Sequence, residues 1–189
     1  MFVNVAYMEM IYLVPFFGEI CVGLTPMEMG LFLFVPAVIT AITGMPVSKM
    51  SDRWGRRPFC VLAGLVTGAT LLLYVIFADT MDAVTLLIIL IPQGLGWAFV
   101  GGPMASRLVE HAGEERDMAA SLTNEAYYIG GSLGLAISAM VFTVFSRSDG
   151  VDIADVLPSA FSDGFVAASI AAAVFAFAIA ILSYILRDD

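Results

Sequence analysis

Charged residues are scarce in this chain, and basic residues are the scarcest of them. Only 13% of the 189 residues are charged, with 8 lysines and arginines against 17 acidic residues, and the net charge is −9. Lys49 is the single lysine. Nucleic acids and anionic lipid surfaces bind basic patches, so this balance argues against both as partners.

Residues that bind metals and cofactors are also few. His111 is the one histidine and has no cysteine or carboxylate at a ligand spacing, which argues against a metal site. Gly94 and Gly96 are not followed by the rest of a dinucleotide-binding fingerprint. No nucleophile and base occur at a spacing typical of a catalytic pair, so we do not expect enzymatic activity. We also expect no cofactor.

Apolar residues dominate the chain in six long runs. They make up 60% of it, and the mean hydropathy is +0.95, whereas soluble proteins average roughly 45–50% apolar residues. A membrane-spanning helix needs about 20 mainly apolar residues. We therefore predict an all-α polytopic membrane protein, with residues 1–189 forming one bundle. The predicted helices cover residues 1–19, 26–48, 58–78, 83–108, 117–145 and 161–186.

Basic residues are distributed unevenly between the connections. With six spans, seven of the eight fall on one side and only Arg147 falls on the other. Loops rich in lysine and arginine stay in the cytoplasm. This predicts a multi-pass protein of the cytoplasmic membrane with both termini inside. The seven are Lys49, Arg53, Arg56, Arg57, Arg107, Arg116 and Arg187.

A basic cluster lies between the second and third runs and reads Asp52-Arg53-Trp54-Gly55-Arg56-Arg57. From Asp52 onward it resembles the loop after the second helix in each half of major facilitator superfamily transporters, with Ser48 at the leading glycine of the pattern. The resemblance implies that Asp52 latches one half against the other by facing a helix N-terminus, where carboxylates are stabilised. A loop of charges that only sets topology is the alternative, and Arg53, Arg56 and Arg57 suit both interpretations.

Three further stretches resemble the second half of the fourteen-helix drug:proton antiporters of that superfamily. They are Tyr12 to Phe17 with the following Gly23-Leu24-Thr25-Pro26 turn, Gln93 to Gly96, and Asn124 to Ala136. Leu90 stands where an arginine is usual, and Tyr127 and Tyr128 replace an arginine–glutamine pair.

The resemblance implies proton-coupled export of hydrophobic or cationic compounds by alternating access, which needs two six-helix halves. The chain is then half of a transporter that pairs with a second copy or another half, or a truncated product. The alternative function is that of a non-transporting membrane protein or interaction subunit.

Polar residues within the runs are the candidates for a transport pathway. Glu9 lies mid-membrane, where a charged carboxylate costs about 2.5–3.5 kcal/mol, so we expect a raised pKa and a role as proton carrier. A hydrogen-bonded structural glutamate is the alternative for Glu9, and contact with cytoplasmic water is the alternative for Glu125. The further pathway candidates are Asn124, Tyr127, Tyr128, Gln93 and Trp97.

Small residues and charge-free faces predict how the helices pack. Gly94 with Ala98, and Gly130 with Gly134, have the spacing that lets membrane helices approach closely. The third and sixth runs contain no ionisable residue in their interiors, which predicts that they face lipid. The other four runs contain polar groups, which predicts that they face protein or water.

Overall fold

The computed structural model describes the backbone of residues 2–55, 57–111 and 116–185, and within them the chain forms six α-helices. The predicted all-α, polytopic membrane fold is confirmed, because α2 to α6 are each long and apolar enough to cross a membrane. Short 3-10 turns cover Ala78–Thr80 and Ile153–Asp155. The helices are α1 (Phe2–Ile20), α2 (Pro26–Trp54), α3 (Arg57–Phe77), α4 (Ala83–His111), α5 (Arg116–Ser146) and α6 (Pro158–Ile185).

The basic cluster is not the loop that the sequence predicted. Helix α2 continues to Trp54, so Asp52 and Arg53 lie in its last turn. No proline or glycine occurs between Val47 and Trp54 to stop the helix. Gly55 then reverses the chain with φ 85°, a conformation that glycine adopts without a steric cost.

Two polar caps begin helices at the opposite end of the bundle. The backbone N–H of Glu28 donates to Thr25 Oγ1 (3.3 Å), and the N–H of Thr25 donates to Glu28 Oε2 (2.9 Å), which completes a capping box before α2. Asp82 Oδ1 accepts from the N–H of Thr85 (2.8 Å) at the start of α4. Hydrogen bonds from the Thr85 side chain and backbone hold the pKa of Asp82 below its usual range. This cap stays ionised at neutral pH and is lost only as the pH falls through that lowered pKa.

The helices pack in a pattern that repeats between the two halves of the chain. Helix α1 packs on α5 and α6, α4 packs on α2 and α3, and α3 and α6 pack most extensively on each other. Exchanging α1, α2 and α3 for α4, α5 and α6 therefore reproduces most of the contacts. The exception is the α5–α6 contact, which is more extensive than the α2–α3 contact among the described residues.

Helices α3 and α6 approach closely because glycine and alanine line their contact. A Cβ atom on Gly64 would lie 2.7 Å from the Ala176 carbonyl oxygen and 2.8 Å from the Ala180 nitrogen. The prediction that these two helices face lipid therefore holds for one face only. A charge-free helix suits the core as well as lipid, and its small residues decide which face is buried. The outward faces carry Leu62, Leu65, Leu72, Ile76, Ile170, Val174 and Ile181.

Helix α2 is the least buried of the candidate membrane spans within this bundle. Only 11% of its membrane-length window is buried, fewer than in any other of the five candidate spans. Glycines and prolines, more than charged residues, interrupt the apolar sequence of α2. These residues do not require the helix to face inward. The large side chains that α2 exposes are Met27, Leu31, Phe34, Ile42, Met45, Met50 and Trp54.

The aromatic core lies toward one end of the bundle. We call this end the acidic end, because its connections, residues 21–25, 78–82 and 147–157, carry five aspartates. Phe17 stacks on Phe165 with ring centroids 4.3 Å apart, and Tyr74 meets Phe165 edge-on at 5.7 Å. The opposite end, where α2 turns into α3 beside Lys49, Arg53 and Arg57, is the basic end. The aspartates are Asp79, Asp82, Asp149, Asp152 and Asp155.

Candidate functional site

Three aromatic rings from three helices meet on the basic side of the core. Tyr7 of α1 stacks on Trp97 of α4, with ring centroids 4.0 Å apart and an angle of 20° between the planes. Tyr127 of α5 meets Trp97 edge-on at 5.8 Å. Tyr128 continues the series at 5.8 Å from Tyr127 and is 70% exposed. Trp97 is the ring that joins α1 to α5.

Two buried amide side chains lie on the helices that carry these rings, and among the described residues neither amide oxygen has a donor. Asn4 Nδ2 donates to the backbone oxygen of Tyr127 (2.6 Å), whereas no described donor reaches Asn4 Oδ1. Gln93 precedes Trp97 by one turn of α4 and is 1% exposed, and its Oε1 is likewise unpaired within the described part of the chain. A buried acceptor without a donor costs about 1–3 kcal/mol. We call Asn4, Tyr7, Gln93, Trp97 and Tyr127 the aromatic–amide cluster.

Close glycine contacts fix the helices that carry this cluster. A Cβ atom on Gly131 would lie 2.7 Å from Asn4 Nδ2, so the glycine lets α1 meet α5 there. A Cβ atom on Gly94 would lie 2.7 Å from the Pro36 carbonyl oxygen, and the Thr40 hydroxyl donates to the Gly94 oxygen (2.9 Å). These contacts hold α4 against α2. Trp97 is thereby left to face α1 and α5.

The structure places the other predicted pathway residues in different surroundings. Asn124 and Glu125 precede the cluster on α5, and both are exposed. The side chain of Glu9 lies outside the described residues. Gly130 and Gly134, which were predicted to pack helices, are both buried.

The sequence did not single out two residues of the cluster or the glycine that packs against it. Asn4, Tyr7 and Gly131 were missed, although Asn4 and Tyr7 are three residues apart and so share a helix face within an apolar run. That spacing was the available signal. It did not reveal which helix the face would meet.

The described residues of the predicted latch lie in different surroundings. Arg57 Nε donates to the Ser183 carbonyl oxygen (3.2 Å), and its guanidinium lies 5.2 Å from the centre of the Tyr184 ring. Arg57 therefore ties the start of α3 to the end of α6. Asp52, Arg53 and Gly55 are exposed, and Arg56 lies outside the described residues.

The comparison with protein families covers the whole cluster. The family model described as Major Facilitator Superfamily matches residues 1–135, which run from α1 into α5 and include every residue of the aromatic–amide cluster. No curated protein matches this chain.

Proposed function

Because this chain belongs to the major facilitator superfamily, a family of membrane transporters, we propose that it moves hydrophobic organic cations across the membrane in exchange for protons. The observation that carries this proposal is the aromatic–amide cluster. It combines three electron-rich rings with two amide oxygens that lack donors, on the basic side of the aromatic core.

The chemistry of the cluster favours a cation over a neutral or anionic ligand. An aromatic ring attracts a cation over its face by about 0.5–2 kcal/mol, with the larger values in desolvated sites. The unpaired oxygens of Asn4 and Gln93 are acceptors, and they match the N–H groups of an ammonium or guanidinium. In this proposal a flat apolar cation stacks on the ring faces that Tyr7 and Trp97 do not turn toward each other.

Proton coupling requires a side chain in the membrane that binds and releases a proton, and α1 contributes a carboxyl group. We assign the proton to Glu9, which is five residues beyond Asn4 on the same helix. A carboxylate at this depth costs about 2.5–3.5 kcal/mol when charged, so it is protonated readily and can release its proton when a cation arrives. Glu125, which lies two residues before Tyr127, extends the pathway toward the basic end.

A second six-helix half completes the pathway in this proposal. Lipid cannot satisfy the exposed amide of Asn124 or the exposed carboxyl of Glu125, so protein or water has to cover that face of α5. The broad exposed face of α2 provides an apolar surface for the same partner, either a second copy or another half. Asp52 then acts as the latch, because it is exposed at the end of α2 and free to face a helix N-terminus of that partner.

The bundle is oriented with its basic end and both termini in the cytoplasm, according to the positive-inside rule. The test replaces Cys21 and Cys60 with alanine and introduces Asp155→Cys at the acidic end or Trp54→Cys at the basic end. A membrane-impermeant maleimide added to intact cells is expected to label Asp155→Cys, and to label Trp54→Cys only after the cells are opened. The reverse pattern would disprove this orientation.

Gradient-driven uptake tests the transport proposal directly. The purified chain is reconstituted into vesicles, a pH gradient is imposed, and the uptake of a fluorescent lipophilic cation is followed. We expect uptake that collapses with the gradient and is abolished in Glu9→Gln, because glutamine cannot carry a proton. Asp155→Asn, which also removes one carboxylate but lies at the acidic end, should transport like the wild type.

Two results would contradict this mechanism in different ways. Gradient-driven uptake by Glu9→Gln would remove Glu9 from proton coupling. No uptake by a chain whose mass in detergent shows a stable dimer would favour the alternative function, a non-transporting membrane subunit.

A further inference from the structure

A separate cavity lies at the acidic end, between the ends of α3 and α5 and the start of α6. Its volume is about 740 Å³. It shares no residue with the aromatic–amide cluster, so what it binds does not depend on the proposed transport function. Its lining is polar at one end and apolar at the other, and the residues that decide this are Asp79, Arg147, Asp163, Val166, Ala167 and Ile170.

The gradient of polarity runs along α6 from the helix start into the span. Asp163 and Ile170 both line the cavity and are seven residues apart, which is about 10 Å of helix. Phe145 and Ile170 are 58% and 46% exposed, so the apolar part opens on the outer surface of the bundle. A ligand that fits this cavity has a polar group at the membrane interface and an apolar chain beside α6.

Arg147 is held in an unusual backbone conformation at the polar end of the cavity. Its φ is 52°, the left-handed region that glycine usually occupies after a helix. The Ser148 N–H donates to the Thr143 carbonyl oxygen (3.3 Å), and the Ser146 and Ser148 hydroxyls lie 2.6 Å apart. Both serines are buried. These buried neighbours hold the end of α5 in place and leave the Arg147 side chain exposed at the cavity.

The charges in the polar part have both signs. The guanidinium of Arg147 lines the cavity together with the carboxylates of Asp79 and Asp163. A guanidinium pairs with phosphate through two parallel hydrogen bonds, and carboxylates accept hydrogen bonds from an ammonium group. We propose that this cavity binds a phospholipid with a primary-amine headgroup, such as phosphatidylethanolamine, with its phosphate on Arg147 and its ammonium between Asp79 and Asp163.

The same charges predict an order of preference among phospholipids. Phosphatidylglycerol carries a phosphate and no ammonium, so the two carboxylates repel it. Phosphatidylcholine carries a quaternary ammonium that has no N–H to donate to a carboxylate. Phosphatidylethanolamine satisfies all three charged groups and should bind most tightly.

Native mass spectrometry of the full chain in detergent measures this preference. Phosphatidylethanolamine, phosphatidylcholine and phosphatidylglycerol with identical acyl chains are added in equal amounts. We expect the wild type to retain the ethanolamine lipid about tenfold more than the glycerol lipid, which corresponds to about 1.4 kcal/mol. The double variant Asp79→Asn/Asp163→Asn should lose this preference, and Asp155→Asn, a carboxylate outside the cavity, should keep it.

Arg147→Gly tests the phosphate contact without harming the fold. Glycine adopts the left-handed conformation more easily than arginine, so this variant should remain folded. It should retain less of all three phospholipids, and Arg147→Lys should recover part of the binding. Equal retention of the three lipids by the wild type, or an unchanged preference in the double aspartate variant, would overturn the proposal.

Discussion

Replacing Trp97 with alanine is expected to weaken the binding of a lipophilic cation by about tenfold or more, which corresponds to at least about 1.4 kcal/mol. Trp97 is the ring that contacts both Tyr7 (4.0 Å) and Tyr127 (5.8 Å). Its loss removes two ring pairs, each worth about 0.5–1.5 kcal/mol, and the best cation–π surface in the cluster. The half-saturating cation concentration for uptake into vesicles measures the effect.

Two variants separate a binding role of Trp97 from a general loss of an aromatic ring. Trp97→Phe keeps an aromatic face and should retain much of the affinity. Phe77→Ala removes a ring that is 39% exposed at the acidic end, away from the cluster and from α2, and it should leave uptake unchanged. If Trp97→Ala binds and transports the cation like the wild type, the aromatic–amide cluster is not the substrate site.

Replacing Gly64 with valine is expected to lower the free energy of unfolding by about 3 kcal/mol, the upper end of the range for overpacked cores. A Cβ atom there would lie within 3 Å of the Ala176 oxygen and the Ala180 nitrogen. These are backbone atoms of α6, so no rotamer change removes the clash, and the most extensive helix pair of the bundle has to separate. For a chain of this size, the midpoint temperature of thermal unfolding in detergent should fall by about 6–12 °C.

Gly44→Val is the matched control for this loss of stability. Gly44 also lies within a membrane helix, but a Cβ atom there meets no atom within 4 Å. Valine is a better helix former than glycine, so this variant should unfold at the same temperature as the wild type or slightly higher. An equal loss in both variants would show that helix flexibility, rather than the α3–α6 contact, explains the effect.

The apolar runs were sufficient to predict the six helices and the membrane fold. The boundary that was wrong, the end of α2, falls in the basic cluster, whose charges suggested a loop. Charge determines which residues leave the hydrocarbon, but it does not end a helix. Gly55 ends α2, because only there does the backbone take the positive φ that stops the helical hydrogen bonds.

The candidate site could be predicted in part. Gln93, Trp97 and Tyr127 were identified as polar or aromatic residues in apolar runs. The structure brings Trp97 and Tyr127 together with Asn4 and Tyr7, and it buries Gln93 one turn before Trp97. Asn4 and Tyr127 are 123 residues apart, and their contact depends on the close approach that Gly131 permits. No pattern within one helix specifies such a partner.

The sequence by itself determined the helices of this protein, their order and the uneven distribution of basic residues. A membrane-spanning segment has to satisfy its backbone hydrogen bonds internally, so a long apolar run specifies a helix without any information from the rest of the chain. The tertiary structure decided which faces are buried, that Tyr7 stacks on Trp97, and that Arg147 lines one cavity with two aspartates. In lipid, apolar faces have no preference for each other over acyl chains, so the fit of small residues such as Gly64, Gly94 and Gly131 selects the partners.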